Sequence, residues 1–407
     1  MAMLSVWLCL ATSAAAENWP EFRGPHGNGI SADTGLPVTW SETEHVAWKT
    51  PIHGKGWSSP VIWGDQIWMT TATENGKERY AVCVDRASGK VVHDILLYKI
   101  PEPQFCHAFN SYASCTPVIE EGRVYVHFGS AGTACLDTAS GKILWSREDL
   151  ECDHFRGPAS SPILFGNLLV VALDGYDLQY VVALDKQTGR TVWRKDRNID
   201  YGSDNGDIKK AYGTATVIEV NGQTQLVYPS AGDTVAYNPN TGAELWRVHH
   251  GGMNAAARPL FGHGRLYINT AAGGLKFFAL RVGGSGDVTK DIDWKCSQGT
   301  STRSSQLLLG DWIFMVSDQG IATCLDAHTG KAIWQKRLEG EFSSSPIAAE
   351  DRVYYCNQEG KTFVVAARPE YELLATNELA DGCMASPAVC DKAIYLRTKT
   401  HLYRIQQ

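Results

Sequence analysis

Cys135-Leu-Asp137-Thr-Ala-Ser-Gly141-Lys-Ile-Leu-Trp145 is the stretch that decides the fold, because its pattern returns along the chain. A small residue, then Asp or Asn, then Gly, then Trp recurs at Ala183/Asp185/Gly189/Trp193, at Ala236/Asn238/Gly242/Trp246 and at Cys324/Asp326/Gly330/Trp334. A fifth copy, Cys83/Asp85/Gly89, ends in His93. Successive copies lie roughly 50 residues apart, the spacing of propeller blades and longer than most helical solenoid units. Each copy reads as a hairpin. The apolar run Val181-Val-Ala-Leu184 is a strand, Asp185-Lys-Gln-Thr-Gly189 is a turn in which Asp bonds its own backbone, and Thr191-Val-Trp193 opens the next strand.

Upstream of each hairpin lies a second strand pair, such as Ser160-Ser-Pro-Ile-Leu-Phe-Gly-Asn-Leu-Leu-Val-Val171, with its turn at Phe165-Gly-Asn167. Four strands, A to D, make one blade of a β-propeller. Trp145, Trp193, Trp246, Trp294 and Trp334 mark outermost strands, joined by His93 and by Leu373-Leu374 after an eroded copy at Ala366. The eighth blade is split: three C-terminal strands, including Ser386–Leu396 and Thr400–Ile405, await the orphan strand around Trp48. The expected architecture is therefore an all-β, eight-bladed propeller of four-stranded antiparallel blades, closed by pairing the two ends.

The chain has 407 residues and reads as one ring, with 1–16 as a signal peptide, 17–44 as a loop-rich segment and 45–407 as the propeller. The leader reading rests on the apolar run Met3–Ala11, too short to span a bilayer, followed by Ala14-Ala-Ala16. It predicts a periplasmic or secreted protein with no transmembrane segment in the mature chain. A net charge of −7 offers no basic field for nucleic acid.

Ten cysteines follow the leader. Cys83, Cys135 and Cys324 take the slot that Ala183 and Ala236 fill elsewhere, so they read as small buried residues. Cys106 and Cys152 lie in neighbouring D-to-A links and are the candidate disulfide, while Cys383 has no clear partner.

Those links return from rim to axis, and 98–113, 150–159, 197–212 and 249–258 are long and polar. The candidate metal ligands or acid–base groups are His107, Asp153 and His154, with the alternative that the histidines bond loop carbonyls. Asn110, Arg156, Lys210, Arg258 and Arg303 are candidate ligand-binding residues, the arginines as an anion clamp or as partners of nearby Asp. The Asp200-to-Lys210 cluster reads as a solvated loop, and Gly273-Gly274 and Gly283-Gly-Ser-Gly286 read as turns.

The Ala-x-Asp-x-x-x-Gly-Lys-x-x-Trp repeat resembles the tryptophan-docking motif of pyrroloquinoline quinone (PQQ) dehydrogenase propellers and of non-enzymatic propellers, including the outer-membrane assembly scaffold. Asn18–Gly29, Val46–Pro51 and Thr398–Arg404 are similar to the exported PQQ-binding-like β-propeller repeat proteins of planctomycete-type bacteria. The resemblance implies eight blades and export. PQQ and Ca²⁺ are the cofactors it brings into question, yet the chain lacks the vicinal Cys-Cys pair of such enzymes, and their Glu, Asn and Asp calcium set does not map onto it. The first expectation is a scaffold that binds a protein partner or an extracellular polysaccharide on the face bearing the D-to-A links. The alternatives are a PQQ-dependent oxidoreductase and a metal-assisted hydrolase or lyase acting on carbohydrate.

Overall fold

The computed structural model describes residues 17–407, so the leader reading of 1–16 lies outside the described residues. The chain forms an eight-bladed β-propeller of four-stranded antiparallel sheets. Blades 1 to 7 occupy 61–99, 118–147, 163–196, 216–249, 260–296, 307–337 and 347–378. In blade 8, strands Ala388–Cys390, Ala393–Arg397 and His401–Gln406 are joined by Val46–Pro51, which pairs antiparallel with His401–Gln406. The outer strand of the last blade thus comes from the other end of the chain.

The docking repeat explains its own composition. On strand C the small residue lies directly opposite the Trp of strand D, as in Cys135 with Trp145 and Ala183 with Trp193. A larger side chain there would push the indole off the sheet. The ring instead covers the next blade's turn. Trp145 donates its Nε1–H to Lys186 O at 3.0 Å, and a methyl group on Gly189 would lie 2.6 Å from its ring. Asp185 holds that turn by accepting from the Thr188 N–H and hydroxyl at 2.9 and 2.8 Å. Each motif therefore builds a platform for the preceding blade's Trp.

Blade 5 departs from the pattern and shows what the motif contributes. Its C-to-D connection, 282–291, has no Asp–Gly turn, and Trp246 of blade 4 donates instead to Gln225 Oε1 at 2.8 Å. The connection compensates with a short strand, Gly286–Asp287, which pairs parallel with Trp246 and Arg247. The glycine-rich stretch expected to be only a turn thus also extends the neighbouring sheet to five strands.

Residues 17–45 form no strand longer than an isolated bridge, but they are well anchored. Trp19, 1% exposed, bridges Ile62 of blade 1, and Ile30 bridges Ala348 of blade 7. Between them the Arg23 guanidinium donates to Asn28 O and Gln306 O at 2.6 and 2.5 Å. The segment crosses the inner strands from one side of the ring to the other, covering edges that the central channel would otherwise leave unpaired.

Candidate functional site, an axial cup

Two residues before the innermost strand of seven of the eight blades stands a Ser or Thr, often followed by Pro: Ser59, Thr116, Ser161, Thr214, Ser305, Ser345 and Ser386. Each hydroxyl accepts the backbone N–H of the preceding blade. Ser59 donates to Thr116 (3.0 Å), Thr116 to Ser161 (3.0 Å), Ser161 to Thr214 (3.2 Å), Ser305 to Ser345 (2.9 Å), Ser345 to Ser386 (2.9 Å) and Ser386 to Ser59 (3.0 Å). Blade 5 carries Arg258 at this position. Its N–H donates to Ser305 at 2.9 Å, but it offers Thr214 no hydroxyl and leaves one gap in the belt. The belt satisfies buried amides at the tightest circle of the ring, where no neighbouring strand can do so.

The belt forms the wall of a cavity of about 500 Å³ on the axis. Phe22 reaches it from the N-terminal segment, and the D-to-A links supply its mouth, with Trp57 between blades 8 and 1. Trp57 donates its Nε1–H to Phe109 O at 3.0 Å, so an aromatic of the wall also fixes the first link. Links reverse direction sharply here: Asn254 adopts φ 61°, and its Oδ1 is a buried acceptor at the cup without a hydrogen-bond partner.

Four residues singled out from the sequence meet at this cup: His107, Asn110, Arg156 and Arg303. His107 is exposed and accepts the Phe109 N–H at Nδ1, 3.2 Å. Asn110 is committed to structure, donating to Arg156 O at 3.0 Å and accepting the Ser114 hydroxyl at 2.6 Å. Arg156 pairs with Asp207 at 2.8 Å, and Arg303 lies 4.3 Å over the Phe109 ring and 3.4 Å from Asp318. Both guanidiniums are half-neutralised but remain partly accessible, so either can meet an incoming anion or carbonyl.

The other candidates lie elsewhere. His154 is buried beside the cup's outer neighbour, a depression of about 230 Å³, and its Nε2 accepts the Ser130 N–H at 2.9 Å. Burial pushes its pKa down to about 4, so it is a neutral loop-bonding imidazole. Asp153 is exposed and caps the Phe155 N–H at 2.8 Å. Thus His107, Asp153 and His154 do not converge on one ion: among the described residues, only His263, Asp311 and His328 bring three potential ligand atoms together. Lys210 is fully buried and ion-paired with Asp207, and Arg258 is buried against Glu21 at 2.8 Å and Phe22 O at 2.7 Å. Both are structural cations rather than parts of a ligand clamp.

The expected Cys106–Cys152 bridge is also corrected, since both thiols are free. Cys152 Sγ turns inward to Leu178 O and His154 Nδ1, at 3.7 and 3.9 Å, whereas Cys106 Sγ faces Arg156 O at 3.7 Å. Cys383 does have a neighbour, the equally buried thiol of Cys356.

The donor set limits the chemistry of the cup. Its lining includes no Asp or Glu. Calcium takes six to eight oxygen ligands, carboxylates prominent among them, and two guanidiniums at the mouth oppose a cation. The lining therefore does not fit a calcium–quinone centre. Tyr212, also at the wall, has its phenol pushed up to about 12 by burial, which removes it as a base near neutrality.

Outside the cup the first two links expose aromatic side chains. Phe105 is 61% exposed, with ring centroids 6.0 Å from Phe155, which is 5.2 Å from Tyr176. The stripe, the belt and Trp57 are built from aromatic and hydroxyl side chains, which neither charge nor metal-ligand spacing marks in the sequence. The repeated Ser/Thr-Pro before short apolar runs was the signal for the belt.

The family model described as outer membrane protein assembly factor BamB matches residues 41–179 and 177–406. The chain belongs to the BamB family. BamB of Shewanella oneidensis is 22% identical over 296 residues, covering 68% of this chain and 70% of that protein. The 1-butanol dehydrogenase (quinone) of Thauera butanivorans is 32% identical over 151 residues, but these make up 32% of this chain and only 22% of that enzyme. Among solved structures, BamB from Moraxella catarrhalis has a TM-score of 0.61 at 13% identity, covering 88% of this chain and 99% of that one. Quinohemoprotein alcohol dehydrogenase from Comamonas testosteroni has a TM-score of 0.67 at 12% identity, covering 95% and 80%. At these identities the structural likeness establishes the propeller fold that BamB proteins and quinoproteins share.

Proposed function

We propose that this BamB-family propeller is an exported scaffold that binds a protein partner on the face bearing its D-to-A links. The observation that carries the reading is a cup without a carboxylate in its lining, opening beside the exposed Phe105–Phe155–Tyr176 stripe. Exposed aromatics on a rigid frame supply large contact area at small ordering cost, and arginines beside them are frequent hot spots. Arg156 joins the two features, lining the cup while its guanidinium lies 5.8 Å from the Phe155 ring. The family supports a protein rather than a polysaccharide as the ligand. Export is inferred from the leader pattern, and among the described residues no helix is long and apolar enough to cross a membrane.

The test is cross-linking of the full chain in its native cell envelope, comparing wild type with Phe105→Ser/Phe155→Ser. A protein cross-linked by wild type and at least about tenfold less by the double variant supports the reading. Equal recovery by both, with the variant folded, removes it. Cell fractionation and the N-terminal sequence of the mature protein check export separately.

A further inference from the structure

We propose that the face opposite the D-to-A links carries a divalent transition-metal site, made by His263, Asp311 and His328 and suited to a zinc-type ion. His263 lies in the turn between the first two strands of blade 5, Leu260–Gly262 and Arg265–Asn269. Asp311 occupies the corresponding turn of blade 6, between Leu307–Leu309 and Trp312–Val316. His328 lies in the turn between Ile321–Asp326 and Ala332–Arg337. Antiparallel connectivity puts these turns at the end of the blades away from the links, so the site is independent of the cup and of its partner.

One ligand atom from each residue lies within 4.8 Å of the others. His328 Nε2 is 3.0 Å from Asp311 Oδ1, His263 Nε2 is 3.8 Å from the same oxygen, and the two imidazole centroids are 4.7 Å apart. Ligands about 2.1 Å from a tetrahedral zinc are about 3.4 Å from one another, so the group must close by roughly 1 Å. Exposed side chains can make that adjustment by rotation about χ1 and χ2.

The backbone under the site is held. Ala327 N donates to Asp311 O at 2.9 Å, joining the two turns of blade 6, and Asp326 accepts the His328 N–H at 3.0 Å. His263 adopts φ 53°, in the left-handed region, where a non-glycine residue is uncommon. Among the described residues Asp311 has no Lys or Arg partner; its only ion-pair neighbours are the two histidines. In the metal-free state His328 Nε2 hydrogen-bonds Asp311 Oδ1 at 3.0 Å and His263 Nε2 hydrogen-bonds Gly310 O at 2.9 Å, and an ion takes the place of both contacts. Two nitrogens and one carboxylate oxygen form a set that zinc accepts and that calcium or magnesium, which prefer all-oxygen shells, do not. Three protein ligands leave the fourth position to water. Bound there, the ion cross-links blade 5 to blade 6.

The experiment titrates Zn²⁺ into chelator-stripped, thiol-blocked full-length protein by calorimetry. Wild type is compared with His263→Gln/His328→Gln and with Asp311→Asn, and circular dichroism confirms folding of each. The expected result is one tight equivalent in wild type, with Kd raised at least about 100-fold in the histidine double variant and more modestly in Asp311→Asn. Co²⁺ at the same site should show the visible absorption of a nitrogen–oxygen environment, absent from the double variant. Failure of wild type to bind an equivalent, or retention of that equivalent by the double variant, overturns the proposal.

Discussion

Trp193 of blade 3 covers Gly242 of blade 4: its indole N–H donates to Pro239 O at 2.9 Å, and a methyl group at Gly242 would lie 2.7 Å from the ring. Gly242 also has φ 68°, so the same residue serves a left-handed turn and a close approach. One blade cannot complete its outer edge without the next, which makes the docking motif an interface element written within each repeat.

Gly242→Ala should therefore destabilise the fold by about 2 kcal/mol or more, combining backbone strain with displacement of Trp193. Urea unfolding checks this. An unchanged midpoint would show that the indole can move at no cost.

Asp174 and Arg197 form a bidentate pair at 2.9 and 2.6 Å with both side chains 1% exposed. Arg197→Met alone should cost about 3–5 kcal/mol because it leaves a carboxylate buried, whereas Asp174→Leu/Arg197→Met should recover most of the loss. A double-mutant cycle in urea measures the difference.

His127 and His154 are buried as neutral imidazoles, with pKa values lowered by burial to about 3 and about 4 from 6.5. Their folded values are depressed, so below about pH 6.5 the unfolded chain binds protons that the folded chain does not. Stability is retained above that pH and falls as the pH drops toward 4, by up to about 1.4 kcal/mol per pH unit for each group. His154→Gln keeps an acceptor for the Ser130 N–H and should flatten this dependence. Unfolding midpoints between pH 7 and 5 test the sign.

Arg258→Ser would restore a hydroxyl to the belt yet strand the Glu21 carboxylate, whose pKa burial already raises against the opposing effect of Arg258. The expected result is a loss of about 3 kcal/mol and faster amide exchange in 19–29, the segment that supplies Phe22 to the cup. Hydrogen-exchange mass spectrometry on the full chain reads both the place and the size of the effect.

Much of the ring was legible because turn chemistry is local: Asp185 and Gly189 declare a hairpin within five residues, and repetition gives the number of blades. The links were legible only as places. Arg156 reaches the cup while His154, two residues earlier, is buried against Ser130, and nothing in an irregular loop has the period of two that would sort such neighbours.

Charge misled in a consistent way. Lys210 and Arg258 looked like ligand-binding cations, but Asp207 and Glu21 claim them, and Glu21 lies far from Arg258 in the chain. The repeat by itself determined most strands and hairpin turns and the place of Trp145, Trp193, Trp246 and Trp334, since these depend on residues a few positions apart. Only the tertiary structure decided which ionisable groups were spent on one another, which thiols stayed free, and what the axial cup could hold. Those outcomes depend on side-chain directions within irregular links and on distances between the links and the N-terminal segment, which only the folded ring sets.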